Sequence, residues 1–132
     1  MGYIIDQAIA PAYKIYSALI TQSGSQPPIA TVFENTLGFL PTWIRDSTGL
    51  YSSNEPEWIT PVLNRKVMAF ISPVAYQQQY DVIRISATTG SSNIVIVTGR
   101  YNSVTGFFTY KDTLLRDDDN FQATSIEIRI YE

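Results

Sequence analysis

The chain has 132 residues, with nine Lys and Arg against twelve Asp and Glu, for a net charge of −3. It contains no cysteine and no histidine, which excludes disulfides, thiol catalysis, Cys- or His-ligated zinc and every Ser-His-Asp or Cys-His mechanism. Hydrophobic residues make up 45 % and charged residues 16 %, below the ~25 % charge of ordinary soluble domains, so Ser, Thr, Asn, Gln and Tyr must cover much of the surface.

This length suits one domain, with enough chain to bury a core unaided by metal or disulfide. No Lys/Arg run interleaves with aromatics, so the electrostatic footprint of nucleic-acid binding is missing. The N-terminus shows no basic region followed by an apolar one, so no signal peptide is expected. No apolar run approaches the ~20 residues of a membrane helix. Paired carboxylates, lysine and tyrosine are the catalytic groups left.

Residues 1–11 read as an N-terminal arm. Tyr3, Ile4, Ile5 and Ile9 are apolar, and Pro11 interrupts the run. Such an arm either packs back onto its domain or reaches a neighbour. The first strand is expected over Ala12 to Gln22, with Tyr16, Ala18 and Ile20 on one face and Ile15, Ser17 and Leu19 on the other. Apolar residues on both faces predict a central position. Ser23 to Pro28 is a loop by composition, and Ile29 to Asn35 a second strand with Ile29, Thr31 and Phe33 facing one way. Trp43-Ile44-Arg45 and Leu50-Tyr51-Ser52 flank a turn at Asp46 to Gly49. Trp58-Ile59-Thr60-Pro61 fits no element clearly.

Arg65 to Ser72 predicts a strand, and Ala75 to Tyr80 one helical turn or a loop. Asp81 to Thr88 is a strand with Ile83 and Ile85 inward. Ile94 to Val97, wholly apolar, predicts a strand buried on both faces, and Gly99 would allow a bulge. Tyr101 to Tyr110 reads as a hairpin or irregular strand, and Asp117 to Asn120 as a polar turn. The closing residues Ser125 to Glu132 alternate strictly, which predicts a strand with Ile126, Ile128 and Ile130 inward. No stretch shows sustained helical periodicity. The pattern is all-β, about eight strands in an antiparallel β-sandwich (jelly-roll or Ig-like) over residues 12–132, preceded by the arm.

Three constellations could carry chemistry. Asp117-Asp118-Asp119-Asn120 offers oxygen ligands for calcium, but the glycine and distal glutamate of an EF-hand loop are missing, and a solvated turn explains the run as well. Glu55 and Glu57 flank Pro56 beside Trp58, yet carboxylates this close in a loop seldom stand across a substrate from each other. The aromatics say more, because Tyr and Trp are favoured both in sandwich cores and at binding surfaces. Trp43 is expected in the core. Trp58 is the surface candidate, with Tyr76, Tyr80, Tyr101 and Tyr110 at loop or strand ends as a protein contact or a sugar platform.

Tyr13 to Gly24, Pro28 to Gly38, Trp43-Ile44-Arg45, Ser47 to Tyr51 and Ile126 to Tyr131 together resemble a small virion-protein domain of tailed bacteriophages that infect Bacteroidetes, including crAss-like phages. The resemblance covers residues 13–51 and 124–131. It implies a fold unit and a place in a particle, as an auxiliary or decoration capsid protein or a head-fibre module, and it carries no catalytic, cofactor or metal residues. It also implies the virion as location, assembly in the host bacterial cytoplasm, and the major capsid protein or other virion proteins as partners. Self-association, with a trimer as one option, fits such a role; nucleic acid and membrane are not expected partners. On this reading Tyr3, Ile4, Ile5, Ile9, Trp58, Tyr76 and Tyr80 are the partner-binding candidates. The alternatives are a carbohydrate-binding module stacking sugar on exposed aromatics and, last, a glycosidase using Glu55 or Asp118.

Overall fold

A computed structural model describes residues 12–73, 80–112 and 124–132. Among them are nine strands: β1 (Tyr13–Thr21), β2 (Ile29–Asn35), β3 (Ile44–Ser47), β4 (Leu50–Ser53), β5 (Val67–Pro73), β6 (Asp81–Thr88), β7 (Asn93–Tyr101), β8 (Phe108–Tyr110) and β9 (Thr124–Tyr131). The only helical structure described is a 3-10 turn at Pro56–Trp58 running into a short helix, α1 (Ile59–Leu63). All strand pairs are antiparallel. Sheet A has the order β2-β1-β9-β5; sheet B has β3-β4-β7-β6, with β8 also on β7. The protein is an all-β sandwich.

Alternation decides which sheet face is buried. Tyr16, Ala18 and Ile20 of β1, Ile126 and Ile128 of β9, Tyr51 of β4, Ile85 of β6 and Ile94 and Ile96 of β7 form one core with Leu37, Trp43, Trp58 and Val62. Burying a Leu or Ile side chain contributes about 1.5–3 kcal/mol, so these positions dominate stability. The Trp43 Nε1–H donates to the Tyr16 hydroxyl, 3.4 Å away, so the tyrosine is buried without losing its polar partner. Burial pushes its phenol pKa up.

β1 and β9 are the two central strands of sheet A, paired from Tyr13↔Tyr131 to Ile20↔Thr124. The strict alternation of the last residues is therefore a strand held from both sides, by β1 and β5. Ile94 and Ile96 are buried, whereas Val95 and Val97 are only half-buried. The expectation of burial on both faces fails because the outer face of sheet B is wet. Gly99 forms no bulge: Val82↔Gly99 and Gly99↔Tyr110 pair in regular register. A Cβ there would lie 2.3 Å from the Phe108 ring and 2.5 Å from the Thr109 carbonyl oxygen, so the glycine serves the close approach of β8.

Candidate functional site

β4 and β8 lie end to end along the same edge of β7. β4 pairs with Ile94 to Val97, and β8 pairs with Gly99 to Tyr101. Thr98 sits between them and joins both. Its N–H donates to the Gly49 carbonyl at 2.8 Å, its carbonyl accepts from the Lys111 N–H at 3.1 Å, and its hydroxyl donates to the Lys111 carbonyl.

The next residue, Asp112, fastens the junction. Its carboxylate accepts from Arg45 Nη2 at 2.9 Å and Nε at 3.2 Å, from the Gly49 N–H at 2.8 Å and from the Tyr51 hydroxyl at 2.6 Å. Burial by itself would raise the Asp112 pKa, but bonds from Arg45, Tyr51 and Gly49 outweigh it and hold the carboxyl below its usual range. Burial first, and the neighbouring Asp112 second, push the Tyr51 phenol far up. A carboxylate this fully occupied, beside a phenol this hard to ionise, is a fastening and has no lone pair to spare for acid-base work.

Beyond the junction the same edge presents apolar groups to water. Tyr101, Phe108 and Tyr110 share the outer face of sheet B, with ring centroids 5.2 Å and 5.0 Å apart in edge-to-face contact. With Val82, Arg84 and Val97 they line a shallow cavity of about 150 Å³. The loop from Asn102 to Phe107 continues the surface: Val104 is 91 % exposed and Phe107 74 %. That loop is well built. Asn102 accepts from the Val104 and Thr105 N–H groups, its own N–H bonds the Phe107 carbonyl, and Gly106 takes the positive φ the turn needs. Tyr80 stands beside it, its carbonyl accepting from the Tyr101 N–H at 3.0 Å. Its φ of 71° is strained for a bulky residue.

The sequence-derived candidates divide sharply. Tyr101 and Tyr110 come together here through the Phe108 ring, Tyr80 adjoins them only through its backbone carbonyl, and all three are about half exposed. Trp58 does not: it is 0 % exposed, with Phe39 edge-on at 4.9 Å and its Nε1–H donating to the Ser53 hydroxyl at 3.0 Å. The expectation of Trp58 at the surface is corrected, and with it any sugar stacked on that ring. The cause is the turn Pro56–Trp58 and helix α1, which aim Trp58 and Val62, four residues apart, into the core. Glu55 accepts from the Thr42 N–H and hydroxyl and from the Ser53 hydroxyl, so it ties down a loop, while Glu57 lines a separate cleft. Tyr3, Ile4, Ile5, Ile9, Tyr76 and the run Asp117 to Asn120 lie outside the described residues. Among the described residues no three Asp or Glu side chains gather as a metal ion would need, and no helix is long and apolar enough to cross a membrane.

Phe107, Phe108 and Val104 were not singled out from sequence. The available signal was three apolar residues in a hairpin containing Gly106, a place where solvated turns are polar. Set against known protein families, curated proteins and solved structures, the chain matches none of them. Its function is therefore argued from its own surfaces.

Proposed function

We propose that the protein is a non-enzymatic structural component of a bacteriophage virion, an auxiliary or decoration capsid protein or a head-fibre component, which attaches to the capsid shell and to neighbouring copies. The observation that carries this reading is the exposed aromatic surface of the β7–β8 hairpin. Phe107 and Val104, at the tip of a well-bonded turn, gain free energy only when something covers them. Tyr101, Phe108 and Tyr110 behind them supply rigid contact area of the kind enriched at interfaces. The low charge and the clamped Asp112 junction fit a part whose work is adhesion.

The segments that carry the virion resemblance, residues 13–51 and 124–131, fold as the adjacent strands β2, β1 and β9 of sheet A plus the β3–β4 hairpin of sheet B.

Mass spectrometry of particles from the phage encoding the chain tests the reading. The protein should be present in many copies per particle, and the double variant Val104→Ser/Phe107→Ser should fold yet fail to incorporate. Absence of the chain from purified particles, or normal incorporation of the variant, overturns the proposal. The apolar arm gives a second test: deleting residues 1–11 should abolish incorporation while circular dichroism and melting of the domain stay unchanged. Normal incorporation of the truncated chain would refute an anchoring role for the arm.

A further inference from the structure

The outer face of sheet A, on the far side of the sandwich from the β7–β8 hairpin, carries an open groove of about 300 Å³, at the small end of the ~300–1,000 Å³ typical of ligand pockets. It crosses all four strands. Phe33 on edge strand β2 and Phe70 on edge strand β5 stand at its two ends, 64 % and 44 % exposed. Between them the central strands present Ser17, Ser125 and Glu127, with Ser72 opposite Ser125 on β5.

A bulge builds one wall. The β1–β2 register passes from Ser17↔Glu34 to Ala18↔Val32 and leaves Phe33 without a cross-strand partner of its own. Bulges re-aim side chains in this way beside binding sites. The opposite wall is braced: the Arg129 guanidinium packs 5.3 Å from the Phe70 ring and 4.7 Å from the Tyr13 ring, and its Nε donates to one Glu127 carboxylate oxygen.

The floor keeps hydrogen-bonding capacity in reserve. The Ser17 hydroxyl has no partner among the described residues, and only one Glu127 oxygen is engaged. The Ser125 hydroxyl donates to the Ser72 carbonyl at 3.0 Å and can still accept. No buried side-chain nitrogen or oxygen described here lacks a partner, so these spare groups face solvent.

We infer that this groove is a binding subsite for a neutral pyranose sugar. A pyranose presents apolar C–H faces to the phenyl rings at either end and hydroxyls that both donate and accept to the serines and Glu127. An apolar protein surface laid over the same floor would strand those groups, at roughly 1–3 kcal/mol each. An anionic ligand would meet the Glu127 oxygen that Arg129 leaves unengaged. The inference goes beyond the virion reading and does not depend on it, because the groove and the β7–β8 hairpin lie on opposite faces.

The test is a glycan array of neutral hexoses and N-acetylhexosamines, followed by a 15N NMR titration with the best-bound glycan. Binding should be seen, with amide shifts centred on Ser17, Phe33, Phe70, Ser125 and Glu127. Phe70→Ala and Ser17→Leu should each weaken affinity at least tenfold, Phe70→Tyr should retain it, and Val104→Ser/Phe107→Ser should leave it unchanged. Both altered side chains point away from the core, and circular dichroism checks that each variant folds. An empty array, shifts centred on the β7–β8 hairpin, or full affinity in Phe70→Ala and Ser17→Leu overturns the inference. So does an empty array combined with lost particle incorporation in Phe70→Ala, which would make the groove a protein contact. The glycan results do not bear on the chain's presence in purified particles, so the two readings fail separately.

Discussion

β4 and β8 share one edge of the same strand and meet at Thr98, yet the two ends of that edge are finished in opposite ways. At the β4 end the junction's polar groups are paired: Asp112 takes bonds from Arg45, Gly49 and Tyr51, and Thr98 stitches backbone to backbone. At the β8 end the backbone is equally well bonded, but Val104, Phe107, Tyr101 and Tyr110 face water. The first arrangement has spent its interaction energy inside the chain. The second leaves apolar side chains in water. Substitutions at the β4 end should therefore act on stability, and those at the β8 end on association.

The largest effect is expected from Gly49→Ala. Gly49 has φ +69°, and a Cβ there would lie 2.3 Å from the Thr98 carbonyl oxygen and 2.8 Å from the Lys111 nitrogen. Both neighbours are backbone and cannot rotate away. Left-handed strain and the clash together should cost roughly 3 kcal/mol or more, read as a lower urea midpoint. A loss under 1 kcal/mol would mean the junction yields easily and that the contrast between the two ends is overdrawn.

Asp112→Asn should cost about 2 kcal/mol at neutral pH, since the amide cannot accept from Arg45, Gly49 and Tyr51 together and its NH₂ faces donors. The sign of the pH effect follows from the lowered carboxyl pKa. The folded state holds the proton more weakly than the unfolded chain, whose carboxyl titrates near ~3.9. The stabilisation is complete above that unfolded value and fades as pH falls through the lower folded one. Denaturant titrations of both proteins should thus differ most above about pH 5 and converge toward pH 2. A gap that stays constant over that range would remove Asp112 as the source of acid sensitivity.

Much of the sandwich is legible along the chain. Alternation places Tyr16, Ala18 and Ile20 inward on β1 and Ile126 and Ile128 on β9, because a half-buried strand writes its burial into every second residue. The turn at Thr48 and Gly49 is equally local. Asp112 is not legible: its partner Arg45 lies 67 residues away, and nothing near an isolated Lys-Asp pair announces a cation so distant in sequence. Trp58 misleads for another reason. Beside Glu57 and Pro56 it reads as loop, whereas Pro56 opens a turn and Trp58 and Val62 share one helical face. Five residues of helix are too few for periodicity to show. The exposed aromatic surface is half legible: Tyr80, Tyr101 and Tyr110 stand out as aromatics at element ends, but only the β7–β8 register puts Tyr101, Phe108 and Tyr110 on one face.

The smallest change in stability, and the sharpest test of the contrast, is expected from Val104→Ser/Phe107→Ser. Both side chains are largely solvated, and the loop under them is held by Asn102, Gly106 and backbone bonds that serine leaves intact. Surface changes of this kind stay within about 0.5 kcal/mol, so the melting curve should scarcely move. Association should respond strongly. Two exposed apolar side chains buried at an interface contribute about 1.5–3 kcal/mol each, which is tenfold or more in affinity per residue. Light scattering coupled to size exclusion should therefore show the wild-type chain self-associating with rising concentration and the variant staying monomeric. A variant that melts far below the wild type would place these residues among the fold's own supports. A variant that associates as well as the wild type would move the contact surface away from this hairpin.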